Sequence, residues 1–315
     1  RLISDKPEYV YLCLILICGL TFIFGSRYGH AGWDVNMHYD AALNNSYSKN
    51  AYYTKTDVYF STARYETYVK NSLEENNSTI KGLNDDYTDL VYCKKASFDL
   101  SRFPAALAMS FGRTMDMSFD VIFYAMEIIN LLIYAFLTFY AIKILKSGKY
   151  ILAMLSLTPT NILVASTMSY DYWVNGFTCL GIAILVSECQ KSKKTISYKP
   201  LLGALLAITL GILPKQVYFP MLLIPFFFYI KEKNSGFIKD KKRWIYYAVC
   251  CIPIIVVIIS LLTRVGSTSG DMRGGSNVSM SGQLQFLMNN KAQGFDILFN
   301  NFRNFISIGY LKNGF

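Results

Sequence analysis

Seven apolar runs of spanning or near-spanning length, joined alternately by lysine-rich and lysine-poor connections, constrain this chain more than any single motif. They cover residues 9–25, 118–142, 150–168, 172–188, 200–213, 217–230 and 244–262. A hydrocarbon core about 30 Å thick is crossed by roughly 20 apolar helical residues. The pattern therefore predicts an all-α membrane protein of about seven transmembrane helices, with the first run kept as a helix rather than cleaved as a signal peptide. With 53% hydrophobic and 16% aromatic residues, a soluble globule is excluded on composition as well.

The formal charge of +10 would suggest nucleic acid in a soluble protein. Here the cations sit in the connections. Lys143, Lys146 and Lys149 follow the second run, Lys191, Lys193, Lys194 and Lys199 the fourth, and the segment Lys231 to Arg243 the sixth. Placing these three loops on the cytoplasmic side follows the positive-inside rule. Residues 26–117, 169–171, 214–216 and 263–315 then lie outside, the N-terminus is cytoplasmic, and every run alternates. Most of the seven cysteines lie in or at the end of apolar runs, so neither a disulfide framework nor a metal spacing follows.

Two regions result. Residues 1–262 form a transmembrane core that includes the outer loop 26–117, and 263–315 form an extracellular segment, with further spans beyond it left open. The tyrosine-rich outer loop reads as ordered. Its opening stretch, WDVNMHYDAA at 33–42, would place Trp33, Asp34, Met37, His38 and Ala41 along one helical face, with Asp34 and His38 one turn apart. Residues 57–75 read as an interfacial amphipathic piece, and 104–116 as a juxtamembrane or re-entrant helix opened by Pro104. Pro159 interrupts the third run, and the Gly-rich stretch 265–277 reads as a mobile loop.

On this topology Asp34, Asp171 and Lys215 share the outer surface, with Arg102, Arg113 and Arg264 flanking apolar segments at that level. Carboxylates and cations at a low-dielectric interface suit chemistry on a lipid-linked phosphate: a carboxylate accepts a proton while cations offset the leaving group. Each residue has a plainer role too. Asp34 and Asp171 would serve as helix-terminal carboxylates, His38 as a hydrogen-bonded structural residue and Lys215 as a snorkelling cation, while Arg102 and Arg113 would hold lipid headgroups. Glu127, inside a span, is a secondary candidate. No Walker, HExxH or GxSxG motif and no Cys/His cluster is present, so no metal site is assigned; a divalent cation is the one cofactor left open.

The segments GWDVNMHYDAAL, SRFPAALAMSFGR, LTPTNILVASTMSYDYW and LGILPKQVYFPMLLIP, in this order, resemble a bacterial family of predicted polytopic membrane proteins of unknown function. That family in turn resembles the GT-C glycosyltransferases, which use polyprenyl-phosphate sugars. The resemblance implies an acidic and an imidazole position at Asp34 and His38. Val35 stands where a second carboxylate would be, which disfavours a paired-carboxylate metal site. It also matches Ser169, Tyr170 and Asp171, and the basic position at Lys215.

What the resemblance implies is a GT-C-like inverting glycosyltransferase of the plasma membrane, with its site on the outer face. It would take a sugar from undecaprenyl phosphate and add it to a cell-surface glycan or lipid-linked acceptor among the membrane lipids. Asp34 would be the general base with His38 in support, Lys215 with Arg102 or Arg113 would hold the lipid phosphate, and Asp171 would orient the acceptor or a cation. A lipid or glycan transporter, or a non-catalytic partner of an envelope assembly complex, is the alternative. No nucleic-acid partner is expected.

Overall fold

Hydrophobic periodicity builds helices almost everywhere the chain can be followed. A computed structural model describes residues 6–26, 35–48, 51–54, 57, 91–93, 98–191, 198–229, 241–265 and 280–305. In chain order these hold α1 (Pro7–Ser26), α2 (Val35–Asn45), β1 (Ala51–Tyr53), β2 (Val91–Cys93), a 3-10 turn (Leu100–Arg102), α3 (Phe103–Thr114), α4 (Phe119–Ile144), α5 (Lys149–Ser156) and α6 (Pro159–Ala165). They continue with α7 (Asp171–Cys189), α8 (Tyr198–Ile212), a 3-10 helix (Gln216–Leu223), α9 (Ile224–Tyr229), α10 (Lys241–Val265), α11 (Met280–Asn289) and α12 (Lys291–Phe305). β1 and β2 pair antiparallel, Ala51 opposite Cys93 and Tyr53 opposite Val91, joining distant parts of the outer loop.

Three described helices are long and apolar enough to cross a membrane: Pro7–Gly25, Phe119–Ile144 and Asp171–Cys189. The other expected runs are shorter apolar helices, at Lys199–Ile212, Gln216–Phe226 and Tyr247–Ser260, or broken ones. The third run is broken at Pro159, as its sequence suggests. It is the pair α5 and α6, because Thr158, preceding Pro159, is extended (φ −60°, ψ 145°), the conformation proline imposes on its predecessor. The sixth run opens as 3-10 helix with Pro220 inside, where the missing N–H forbids a regular ladder. Residues 280–305, expected as loop, form the helices α11 and α12.

The chain divides into two compact units, residues 1–254 and 255–315. In the first, α4 is the central post. Tyr11, Ile15 and Ile23 of α1 pack with Leu131, Tyr134 and Ala135 of α4 and with Tyr172 and Trp173 of α7. The polar groups of these helices turn inward, as a lipid-facing surface demands. Tyr11 hydrogen-bonds Thr138, the Tyr134 hydroxyl donates to the Ser156 carbonyl (3.0 Å), and Asn130 Nδ2 donates to the Thr167 carbonyl (3.3 Å). α7 lies closely along α8 because Gly181 leaves room: a Cβ there would meet the Ala204 carbonyl at 2.9 Å and Ile208 at 2.5 Å. In the second unit, α11 packs on α12.

A second core sits at one end of α4 and fixes the outer-loop helices. Val35, Tyr39, Ala42 and Leu43, spaced for one helical face, lie against Ala105 and Met109 of α3, Phe119, Phe123 and Met126 of α4, and Met168. The face of α2 that packs inward is therefore Val35/Tyr39/Ala42, adjacent to the expected Met37/His38/Ala41 face; Met37 is exposed and His38 half-buried.

Candidate functional site

Local sequence chemistry positions Arg102 before any long-range contact is considered. Asp99 caps the 3-10 turn, accepting from the Ser101 N–H (2.9 Å) and hydroxyl (2.6 Å), and its carboxylate also pairs with Arg102. Two elements then clamp the turn. Asn45 at the end of α2 donates to the Asp99 carbonyl (2.6 Å) and accepts from the Asp99 N–H (3.3 Å), and the Tyr172 hydroxyl of α7 donates to the Ser101 carbonyl (2.7 Å).

So held, the Arg102 side chain meets residues from two other parts of the chain. Its Nη2 lies 2.8 Å from His38 Nδ1 of α2, and its guanidinium 5.1 Å from the centroid of the Tyr170 ring, just before α7. The same ring receives Lys215 Nζ at 5.5 Å and stands edge-on to His38, with centroids 4.9 Å apart at 82°. Lys215 also reaches Asp171 Oδ1 (2.9 Å), and Asp171 is steadied by Ser169, whose hydroxyl donates to its carboxylate (3.3 Å) and accepts its N–H (3.0 Å). The two cations are thus no farther apart than their two distances to one ring taken together. His38, Arg102, Asp171 and Lys215, singled out separately in the sequence, meet here.

The electrostatics follow from which groups can donate. A guanidinium has no acceptor, so His38 Nδ1 must accept, which assigns a neutral imidazole with its proton on Nε2. In this arrangement Nδ1 is engaged by Arg102 and is not available as a base. Burial pulls the Arg102 pKa below the usual arginine value, with Tyr170 and Tyr172 acting the other way. Its Nε is buried with no hydrogen-bond partner among the described residues. For Lys215, partial burial lowers the pKa, but the hydrogen bond and charge of Asp171 outweigh it and the net shift is upward. Two cations, one with a buried N–H that has no partner among the described residues, thus stand around one aromatic ring, each also paired with a carboxylate, Asp99 or Asp171. An anion at Lys215 would compete with Asp171, which is also a dipole-favoured carboxylate in the first turn of α7.

Not every sequence candidate arrives at this place. Asp34 lies outside the described residues, directly before α2, as do Trp33, nearly all of the 57–75 piece and almost all of the Gly-rich stretch 265–277. Arg113, at the far end of α3, sits over the Tyr47 ring (4.1 Å) and donates to the Ser46 carbonyl (3.2 Å). It lines a cavity of about 30 Å³ with Tyr39 and Asp57. Glu127 is buried in the interior face of α4. The ring of Tyr170 was not singled out as the element that gathers the cations. Its position between the apolar third run and Asp171, with tyrosine rather than an aliphatic residue, is the one available signal. Nor was Asp57, buried and bonded to the Tyr39 hydroxyl (2.6 Å). The T-x-x-D spacing of Thr54 and Asp57, a capping-box pattern, marks it.

Among the described residues no three His, Cys, Asp or Glu side chains gather as metal ligands, and Asp99 and Asp171 are each engaged by a cation. No curated protein and no solved structure is detectably similar to this chain. The model of one family, described as predicted membrane protein (DUF2142), matches residues 30–313, a stretch that contains the whole cluster. The chain is therefore a membrane protein and belongs to the DUF2142 family.

Proposed function

We propose that this protein is an inverting glycosyltransferase of the plasma membrane that moves a sugar from a polyprenyl-phosphate carrier to a glycan or lipid-linked acceptor at the outer face. The carrying observation is that Arg102 and Lys215, 113 positions apart in sequence, share one Tyr170 ring beside His38. Lysine-rich loops would be cytoplasmic, putting this cluster on the outer side.

In this reading Asp34 takes the proton of an acceptor hydroxyl, whose oxygen forms a bond to the anomeric carbon. The bond from that carbon to the phosphate oxygen breaks, and its electron pair leaves with the lipid phosphate. Arg102 and Lys215 offset the charge that develops there. His38 supports the site by holding Arg102 through Nδ1. Arg102 is preferred to Arg113 for this role because it shares the Tyr170 ring with Lys215 and carries a buried Nε–H without a partner among the described residues, whereas Arg113 lies over Tyr47 at the far end of α3.

A second reading, as a lipid or glycan transporter, draws on the broken helix pair α5 and α6 and on two buried side-chain oxygens without hydrogen-bond partners among the described residues, Asn130 Oδ1 and Ser166 Oγ. One experiment separates the two. The protein in vesicles receives a radiolabelled polyprenyl-phosphate sugar and acceptor extract. Glycosyl transfer by the wild type, abolished in Asp34→Asn at unchanged expression and folding, supports the enzyme. Movement of intact donor without transfer, or full turnover by Asp34→Asn, overturns it.

A further inference from the structure

Along α7, from Asn175 to Gln190, runs a groove of about 690 Å³ that the proposed reaction does not use. It exists because α5 packs on α1 and α4, leaving the face of α7 opposite it uncovered. Thr178, Ile182 and Val186 form the stripe on α7, at helical spacing, and Ile151 and Leu155 of α5 the opposite wall. At 1.5 Å per residue the groove is about 22 Å long from Asn175 to Gln190. It lies within Asp171–Cys189, one of the three helices able to span a membrane, where the surrounding solvent is hydrocarbon.

The two ends of the groove differ. One is neutral, closed by a hydrogen bond from Asn175 Nδ2 to Asn161 Oδ1 (3.1 Å). The other is sealed by Gln190, whose Oε1 accepts the Lys146 and Ser147 N–H groups (2.8 and 3.3 Å) and whose Nε2 donates to the Ser147 carbonyl (3.0 Å). Around that second end stand Lys143, Lys146, Lys149 and Lys191. Glu8 pairs with Lys149 and Glu188 with Lys191, and four lysines against these two carboxylates leave the segments at this end with a positive formal charge.

We infer that this groove holds one acyl chain of an anionic phospholipid, with its phosphate at the Lys146 rim. Volume favours this occupant over a long polyprenyl chain. If a methylene takes up about the ~30 Å³ of a liquid water, the groove holds roughly 20 chain carbons, one acyl chain rather than a whole long carrier. Charge favours it too, since juxtamembrane lysines attract anionic headgroups. The inference is independent of the glycosyl-transfer reading.

The test uses the full chain in vesicles of phosphatidylcholine containing a phosphatidylglycerol with a photoactivatable group midway along one chain, followed by peptide mapping. Labelling is expected at Ile151 and Ile182. Ile151→Trp, at an exposed wall position that folding tolerates, should cut it at least fivefold. Lys146→Gln should lower phosphatidylglycerol labelling about threefold while leaving an equivalent phosphatidylcholine probe unchanged. Label spread evenly over the groove and the exposed α1 positions Ile17 and Phe24 would overturn the proposal. So would labelling unchanged in Ile151→Trp, or labelling displaced by polyprenyl phosphate and not by phosphatidylglycerol.

Discussion

The two ends of α3 each carry an arginine lying over a tyrosine, and they have opposite characters. At the Arg113 end the guanidinium covers Tyr47, binds the Ser46 carbonyl and faces a cavity with room for about one water, beside an Asp57 that already accepts from Tyr39 and Thr54. The polar contacts shown there join groups of the outer loop to one another. At the Arg102 end, about 16 Å away along the helix, a second cation shares the ring and one buried N–H is left without a partner. The same arginine–tyrosine unit is thus a fastener at one end and, in the proposed reading, a phosphate receptor at the other, and the observed difference is the second cation and the unpartnered buried N–H at the Arg102 end.

Substituting one residue at each end gives the largest contrast. Lys215→Gln should lower sugar transfer about 100-fold, near 2.7 kcal/mol of transition-state stabilisation. Arg113→Met should leave transfer intact and instead cost about 1 kcal/mol of stability, since it removes the cation–π contact with Tyr47 and one of the two hydrogen bonds to the Ser46 carbonyl, the Ser110 hydroxyl keeping the other. Transfer kinetics in vesicles and denaturant titrations of the same variants read the two effects. Next in size is Tyr170. Tyr170→Phe keeps the ring and should change transfer less than about threefold, whereas Tyr170→Leu removes both cation–π contacts and should cost about tenfold. Equal losses in the two would mean the hydroxyl, not the ring, does the gathering.

The smallest effect is expected at Asp57. Asp57→Asn keeps an acceptor for Tyr39 but cannot accept from the Thr54 N–H, a loss of about 1 kcal/mol. Burial raises the Asp57 pKa, against the pull of Tyr39, Thr54 and Arg113. Its folded state therefore holds the proton at a pH where the unfolded chain has released it. The contribution to stability is fully present below the ordinary carboxylate range and is lost as pH rises through the raised value. Stability of the wild type should fall across that window, and the Asn variant should lack the step.

Spans with uninterrupted apolar sequence were legible in advance. The expected runs 9–25, 118–142 and 172–188 correspond to α1, α4 and α7, because length and hydropathy alone decide them. Pro104 likewise marks the first turn of α3. The break at Pro159 was legible from the proline itself, whereas the run holding Pro220 was read as an unbroken helix and opens as 3-10 helix. At the site, charge and topology named Arg102, Asp171 and Lys215 but could not pair them. Their meeting depends on side chains converging on Tyr170, and on Asn45 and Tyr172 clamping the turn that aims Arg102. Arg102 and Arg113 looked equivalent in sequence because each flanks the same helix; only their partners separate them.

Binding of a polyprenyl phosphate to the purified protein in nanodiscs tests the central claim most directly, since it needs no acceptor and no turnover. Arg102→Gln should weaken that binding at least tenfold while Arg113→Gln binds as the wild type does. Equal affinity in wild type and Arg102→Gln, or a loss confined to Arg113→Gln, would contradict the assignment of the Arg102–Tyr170–Lys215 cluster as the phosphate site.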